Sequence, residues 1–138
     1  MNRALIDTDI LTHFLKGDPE VIQNLNNYLD YYDVLEINLI SYYEILSGLS
    51  AKNAFKQISI FEDFVSENII LPLTEKSVKI SAEIYGTLRK SGNKLDDIDV
   101  LIAGIAIEND MTLITNNVKH FSRIPGLKIE NWKKQTHM

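Results

Sequence analysis

Five short apolar runs, at residues 4–6, 34–40, 69–73, 112–115 and 126–130, are set apart by longer segments whose apolar residues recur every three or four positions. The short runs read as buried strands and the longer segments as amphipathic helices. A strand reached from its predecessor through a helix runs parallel to it, and a parallel sheet needs cover on both faces. That alternation predicts an α/β chain: a three-layer fold with a central, mostly parallel five-stranded sheet flanked by helices. The 138 residues suit a single domain spanning 1–138, with no linker, internal repeat or low-complexity tract.

The first helix is expected from Thr8-Asp9, carrying Ile10, Leu11, Phe14 and Leu15, and Gly17-Asp18-Pro19 breaks it. A second carries Val21, Ile22, Leu25, Tyr28 and Leu29. The run at 34–40 reads as strand throughout, so Ser41-Tyr42-Tyr43-Glu44 opens the third helix, with Ser41 and Glu44 spaced as a capping box. Phe55, Ile58, Phe61, Phe64 and Val65 mark a fourth. Pro72 places the run at 69–73 near a sheet edge. Thr74 or Ser77 caps a fifth helix, and Asp96-Asp97-Ile98-Asp99 opens a sixth that runs through Val100 to Ile107.

Cysteine is absent, which removes disulfides, thiolate zinc sites and cysteine nucleophiles together and fits a reducing compartment. The N-terminal apolar run is too short for a signal peptide and no segment is long enough to span a membrane, so the expected location is the cytoplasm. Net charge is −5, from 19 acidic and 14 basic residues, which argues against a chain held to nucleic acid by overall charge. Local basic groups remain, at Arg89, Lys90 and Lys94 and at Lys119, Arg123, Lys128, Lys133 and Lys134.

Sites in open parallel sheets form beyond the carboxyl ends of the strands. Asp7 follows the first strand directly, Glu44 follows the second, and Asn116-Asn117 follow the fourth. A helix that returns antiparallel to the strands begins at that same edge, which brings Asp99 there as well. Each residue also has a plain structural reading: Asp7 and Asp97 as helix caps, Ser41 with Glu44 as a capping box, Asn116-Asn117 as a turn. Single imidazoles at His13 and His120 have no ligand spacing and read as surface or packing residues. Several carboxylates at one apolar edge repel one another and lose hydration, which raised pKa values or a bound cation would offset. Oxygen donors without histidine or cysteine favour a hard ion.

Four segments, in order, are similar to the PIN-domain ribonucleases and, within them, to the VapC toxins of bacterial toxin–antitoxin modules. They are Leu5-Ile6-Asp7-Thr8-Asp9-Ile10-Leu11, Ile40-Ser41-Tyr42-Tyr43-Glu44-Ile45-Leu46, Asp99-Val100-Leu101-Ile102-Ala103-Gly104 and Leu113-Ile114-Thr115-Asn116-Asn117-Val118-Lys119-His120-Phe121, the last followed by the stretch from Ile124 to Trp132. The resemblance covers the whole chain. It implies a toxic endoribonuclease that hydrolyses phosphodiester bonds of tRNA or another structured RNA. It implies Mg2+, with Mn2+ as the alternative, bound by Asp7 and Asp99 with Glu44 in the same acidic site. Asn117, with Asn116 beside it, stands where many of these domains have an aspartate. A water deprotonated with help from Asp7 or Glu44 would attack phosphorus in line. A homodimer and a VapB-type antitoxin, seated in a groove along the helices of residues 41–67, are implied as partners.

Two enzymatic or signalling rivals and one non-catalytic reading stand beside this. Asp7-Thr8-Asp9 mimics the paired aspartates of haloacid-dehalogenase-like phosphatases, but Leu11 stands where that motif expects Thr or Val. A receiver-like domain lacks a convincing acceptor aspartate and lysine pair. In a non-catalytic α/β interaction domain the acids would serve only as caps.

Overall fold

The computed structural model describes residues 2–133, so Lys134 of the second basic group lies outside the described residues. Strands β1 (Ala4–Ile6), β2 (Glu36–Asn38), β3 (Ile69–Leu71), β4 (Thr112–Ile114) and β5 (Lys128–Glu130) form one sheet in the order β3-β2-β1-β4-β5. Every pairing is parallel. The helices are α1 (Thr8–Leu15), α2 (Pro19–Leu29), α3 (Leu39–Ala51), α4 (Phe55–Ser66), α5 (Glu75–Lys90), α6 (Asp97–Glu108) and the short α7 (Val118–Phe121).

Alternation along the strands feeds two cores. Ala4, Ile6, Ile37 and Ile114 face the layer that contains Ile10, Leu11, Val21, Leu25, Tyr28, Ile45 and Phe61. Leu5 and Leu113 face the opposite layer, with Ile84, Leu88, Val100, Ala103, Ile105 and Phe121. The central strand β1 is buried along its whole length, which fixes its register and hence the position of Asp7 just beyond it.

In the second layer α5 and α6 approach closely because Gly104 has no side chain. A Cβ there would lie 2.0 Å from Ser81 Oγ and 2.5 Å from the Ser77 carbonyl oxygen. Ser81 Oγ instead donates to the Val100 carbonyl at 2.8 Å, and Thr74 at the start of α5 donates to Glu108 at the end of α6 at 2.7 Å. The two helices are therefore antiparallel. The turn joining them, with Arg89, Lys90 and Lys94 exposed nearby, falls at the same end as Asp99.

Three local expectations are corrected. The second strand stops at Asn38, and α3 begins at Leu39 rather than Ser41. Its cap is Asn38, wholly buried, whose side-chain oxygen accepts from the Ser41 N–H at 2.8 Å. Ser41 and Glu44 therefore form no capping box, and Glu44 is free to point elsewhere. Asp96, not Asp97, caps α6, accepting from the Ile98 N–H at 3.3 Å. Thr74 and Ser77 share one box at the start of α5, with Thr74 as the cap.

Candidate active site

Asp7 leaves β1 with its backbone still in the sheet, donating from N–H to the Ile114 carbonyl at 2.9 Å. It is also the N-cap of α1, so the plain reading and the functional one hold together: Oδ1 accepts from the Thr8 N–H at 2.9 Å. Oδ2 accepts from the Thr115 hydroxyl, 2.8 Å away at the exit of β4. Thr115 is itself fixed, since its Oγ1 accepts the Asn117 N–H at 3.0 Å. With two oxygens held by neutral donors and only 6% of its surface exposed, Asp7 is a carboxylate locked at the apolar edge.

Glu44 sits one turn into α3, where Thr8 reaches it. Thr8 Oγ1 lies 2.6 Å from Glu44 Oε1 and 2.7 Å from Ser41 Oγ. A hydroxyl has one proton, and a carboxylate can only accept, so Thr8 gives its proton to Glu44 and the Ser41 proton closes the contact to Thr8. Asn38 Nδ2 donates in turn to Ser41 Oγ at 3.1 Å. The buried cap of α3 thus aims Glu44 through two hydroxyls.

Asp99 stands on the first turn of α6, half-buried, with His120 Nε2 at 3.2 Å from its Oδ2. Asp9, one residue past Thr8, turns inward: its Oδ2 accepts from the Asn116 N–H at 3.1 Å, while Oδ1 is buried without a hydrogen-bond partner. Asp96 and Asp97 remain exposed on the outside of the helix start.

Electrostatics ties the four together. Burial, then the charge of Asp9, then more weakly that of Asp99, push the Asp7 carboxyl from its ordinary 3.8 up to about 7, against the pull of the Thr115 and Thr8 hydrogen bonds. Burial also raises Asp9. Asp99 is raised by burial and by Asp96, Glu44 and Asp9, with His120 acting the other way. Burial chiefly, with neighbouring negative charge at Asp7 and Asp99, disfavours the ionised carboxylates here, and a bound cation would reverse that. The orphaned Asp9 oxygen and the all-oxygen donor set fit a hard ion. Among the described residues no three Asp, Glu or His side chains stand close enough to enclose one by themselves. An ion there would keep several waters, as magnesium does.

The residues expected from sequence converge unevenly. Asp7, Glu44 and Asp99 lie within electrostatic reach at one sheet edge, Asp99 acting on Asp7 and Glu44 on Asp99, without closing into a cluster of three. Asn117 reaches the edge but stays exposed, and its backbone N–H joins the network rather than its amide. The Asn116 side chain turns away to accept from Asn131 Nδ2 at 3.0 Å. The fourth carboxylate comes from Asp9, which is tied to the post-β4 turn through the Asn116 N–H. His120, expected at the surface or in packing, is an Asp99 neighbour, and Thr8, Ser41 and Thr115 carry the positioning that sequence alone did not signal.

Residues 4–127 match the PIN domain family. The chain is a PIN-domain protein. Ribonuclease VapC2 of Rickettsia felis is 31% identical to it over 131 residues, covering 94% of this chain and 98% of that one. The tRNA(fMet)-specific endonuclease VapC of Salmonella typhimurium is 28% identical, covering 96% and 99%. This PIN domain also superposes on VapBC2 from Rickettsia felis, a structure bound to a DNA fragment from its promoter, with a TM-score of 0.86 at 30% identity over 94% of this chain and 98% of that one. Within the PIN domains the chain belongs with the VapC ribonucleases, and the phosphatase and receiver readings of its aspartates fall away. Among the described residues of this PIN domain no helix is long and apolar enough to cross a membrane.

Proposed function

We propose that this PIN domain is a divalent-metal-dependent endoribonuclease acting as the toxin of a toxin–antitoxin pair in the cytoplasm. The observation that carries the reading is the convergence of Asp7, Asp9, Glu44 and Asp99 at one sheet edge, with Asp7 pushed up to about 7 by burial and by its neighbours' charge. The names of its VapC relatives supply the substrate class, RNA, with tRNA as the first candidate. Asp7 and Asp99, with Glu44 beside them, would hold magnesium, or manganese in its place, which would supply positive charge for the phosphate and for an attacking water.

The chain's own residues do the rest. Thr115 and the Thr8 N–H hold Asp7 in one orientation, so its carboxylate need not reorganise as charge develops. Thr8 holds one oxygen of Glu44 and leaves the other to take a proton from the attacking water. Exposed Lys94 and Lys119 on the segments flanking Asp99 and Asn117 suit the RNA backbone. A groove of about 370 Å³ adjoins the site, lined by Thr8 and Glu44 at one end, with Leu15, Ile45 and Leu49 among its apolar residues and Lys16 and Lys52 beside them. Its apolar lining and two cations suit an inhibitory antitoxin segment carrying apolar and acidic side chains. A homodimer is the expected assembly.

The test is cleavage of a structured RNA by the purified chain. Magnesium or manganese should be required, and Asp7→Asn and Asp99→Asn should each abolish cleavage while the circular dichroism spectrum is kept. Undiminished cleavage in chelator, or in both variants, refutes the reading.

A further inference from the structure

His120 is the fourth residue after Asn116, in the turn that follows β4, and sits in the short helix α7, where its ring packs edge-on against buried Phe121 with centroids 6.1 Å apart. Its Nε2 is shut off from solvent and makes no hydrogen bond, yet it stands 3.2 Å from Asp99 Oδ2. The distance is that of a hydrogen bond and only the direction is wrong. An unprotonated Nε2 would set its lone pair against a carboxylate oxygen, so the ring nitrogen that faces Asp99 is the one that carries hydrogen. A small turn of the ring about its own bonds aligns that N–H with Oδ2.

We infer that His120 is a positioning residue: its Nε2–H takes up Oδ2 of Asp99 and so orients the carboxylate, leaving Oδ1 as the oxygen offered to a divalent ion. This rests on the metal-site reading above. Whereas both Asp7 oxygens accept, from Thr115 and from the Thr8 N–H, the arrangement on α6 repeats what Thr8 does for Glu44, taking one oxygen and leaving the other. It differs in its donor, since an imidazole reaches from a separate turn and ties α7 to the first turn of α6. Partners that orient a metal-binding side chain affect affinity by about 10–100-fold when removed.

The test is Mn2+ binding by the purified chain, followed by isothermal titration and by the electron paramagnetic resonance signal of free Mn2+, with no RNA present. His120→Phe fills the ring's place beside Phe121 without a donor. His120→Gln puts an amide N–H near the position of Nε2. The inference expects Mn2+ affinity about tenfold weaker in His120→Phe and close to the parent in His120→Gln. It also expects that adding His120→Phe to Asp99→Asn weakens binding no further than Asp99→Asn alone. Affinity within twofold of the parent in His120→Phe, alongside weakened binding in Asp99→Asn, overturns the role of His120 and leaves the metal site standing. Affinity unchanged in Asp99→Asn overturns the metal site as read here, and His120's role with it.

Discussion

Removing the charge of Asp7 should stabilise the metal-free protein at neutral pH and abolish its activity, and the structure gives the size of the effect. The Asp7 carboxyl rises from 3.8 to about 7 on folding. At about 1.4 kcal/mol per pH unit, holding it ionised above pH 7 costs the folded state ~4 kcal/mol relative to the unfolded chain. The sign follows from proton counting. Between pH 3.8 and about 7 the folded protein binds more protons at this site than the unfolded one, so stability falls as pH rises through that window and levels off above it. Burial raises Asp9 and Asp99 too, and they add in the same direction.

Asp7→Asn removes that cost but places an amide where Oδ2 accepts the Thr115 hydroxyl, a loss of about 1 kcal/mol. The variant should therefore be more stable than the parent by about 1–3 kcal/mol in chelator at pH 8. At pH 4 it should be equal or slightly less stable. Urea denaturation followed by Trp132 fluorescence measures both. With magnesium added the order at pH 8 should narrow or reverse, because only the parent gains binding energy from the ion. An Asp7→Asn protein less stable than the parent at pH 8 in chelator, or one whose stability falls as steeply between pH 4 and 7, refutes the account of a charged, uncompensated edge.

Gly104→Ala tests the close approach of α5 and α6. The added methyl meets Ser81 Oγ and the Ser77 carbonyl, and the backbone contact cannot be relieved by a rotamer change, so a loss of about 3 kcal/mol is expected by thermal denaturation. Adding Ser81→Ala should recover only part of it; full recovery would show that the Ser77 carbonyl is not limiting. Thr8→Val keeps the shape but strips Glu44 of its donor, and should lower RNA cleavage about tenfold while changing stability by about 1 kcal/mol. A Thr8→Val enzyme of parental activity would show that Glu44 needs no fixed orientation. Lys52→Glu, in the groove beside the site, should slow association with an acidic antitoxin segment and flatten its salt dependence with cleavage retained, read by surface plasmon resonance at two ionic strengths.

The layer architecture was legible because it rests on periodicity. Residues 4–6 are apolar and end in Asp7, and Leu113-Ile114 between two β-branched threonines end in Asn116, so the central strands and the site's edge could be placed without coordinates. The boundary at Asn38 was not legible. Apolar residues alternate through Leu39 and Ile40, and nothing in that period shows where extended backbone becomes helical; the decision belongs to a buried asparagine whose side chain caps α3. The helix α7 is four residues long, too short for any period to register. Partner choice inside the site was hidden for another reason. Thr115 meets Asp7 across 108 positions and Thr8 meets Glu44 across 36, and these contacts exist only once the registers of β1 with β4 and with β2 are set.

The site's acids differ from several others in the kind of partner each has. Elsewhere Arg3 makes a two-point contact with Glu36, Lys128 pairs with Asp110, and the Lys133 ammonium lowers the Asp18 carboxyl, although Glu62 and Glu108 are met by hydroxyls. Asp7, Asp9 and Glu44 are held instead by hydroxyls and backbone N–H groups, and among the described residues none of them, nor Asp99, is ion-paired with a lysine or arginine. Neutral donors fix geometry but leave the charge standing. A fold seeking stability alone would gain by placing an arginine among these four groups, since each unpaired buried charge costs several kcal/mol. Keeping the edge rigid, acidic and free of lysine and arginine serves a different end: on the metal-site reading proposed above, it leaves the neutralising charge to a divalent ion from outside.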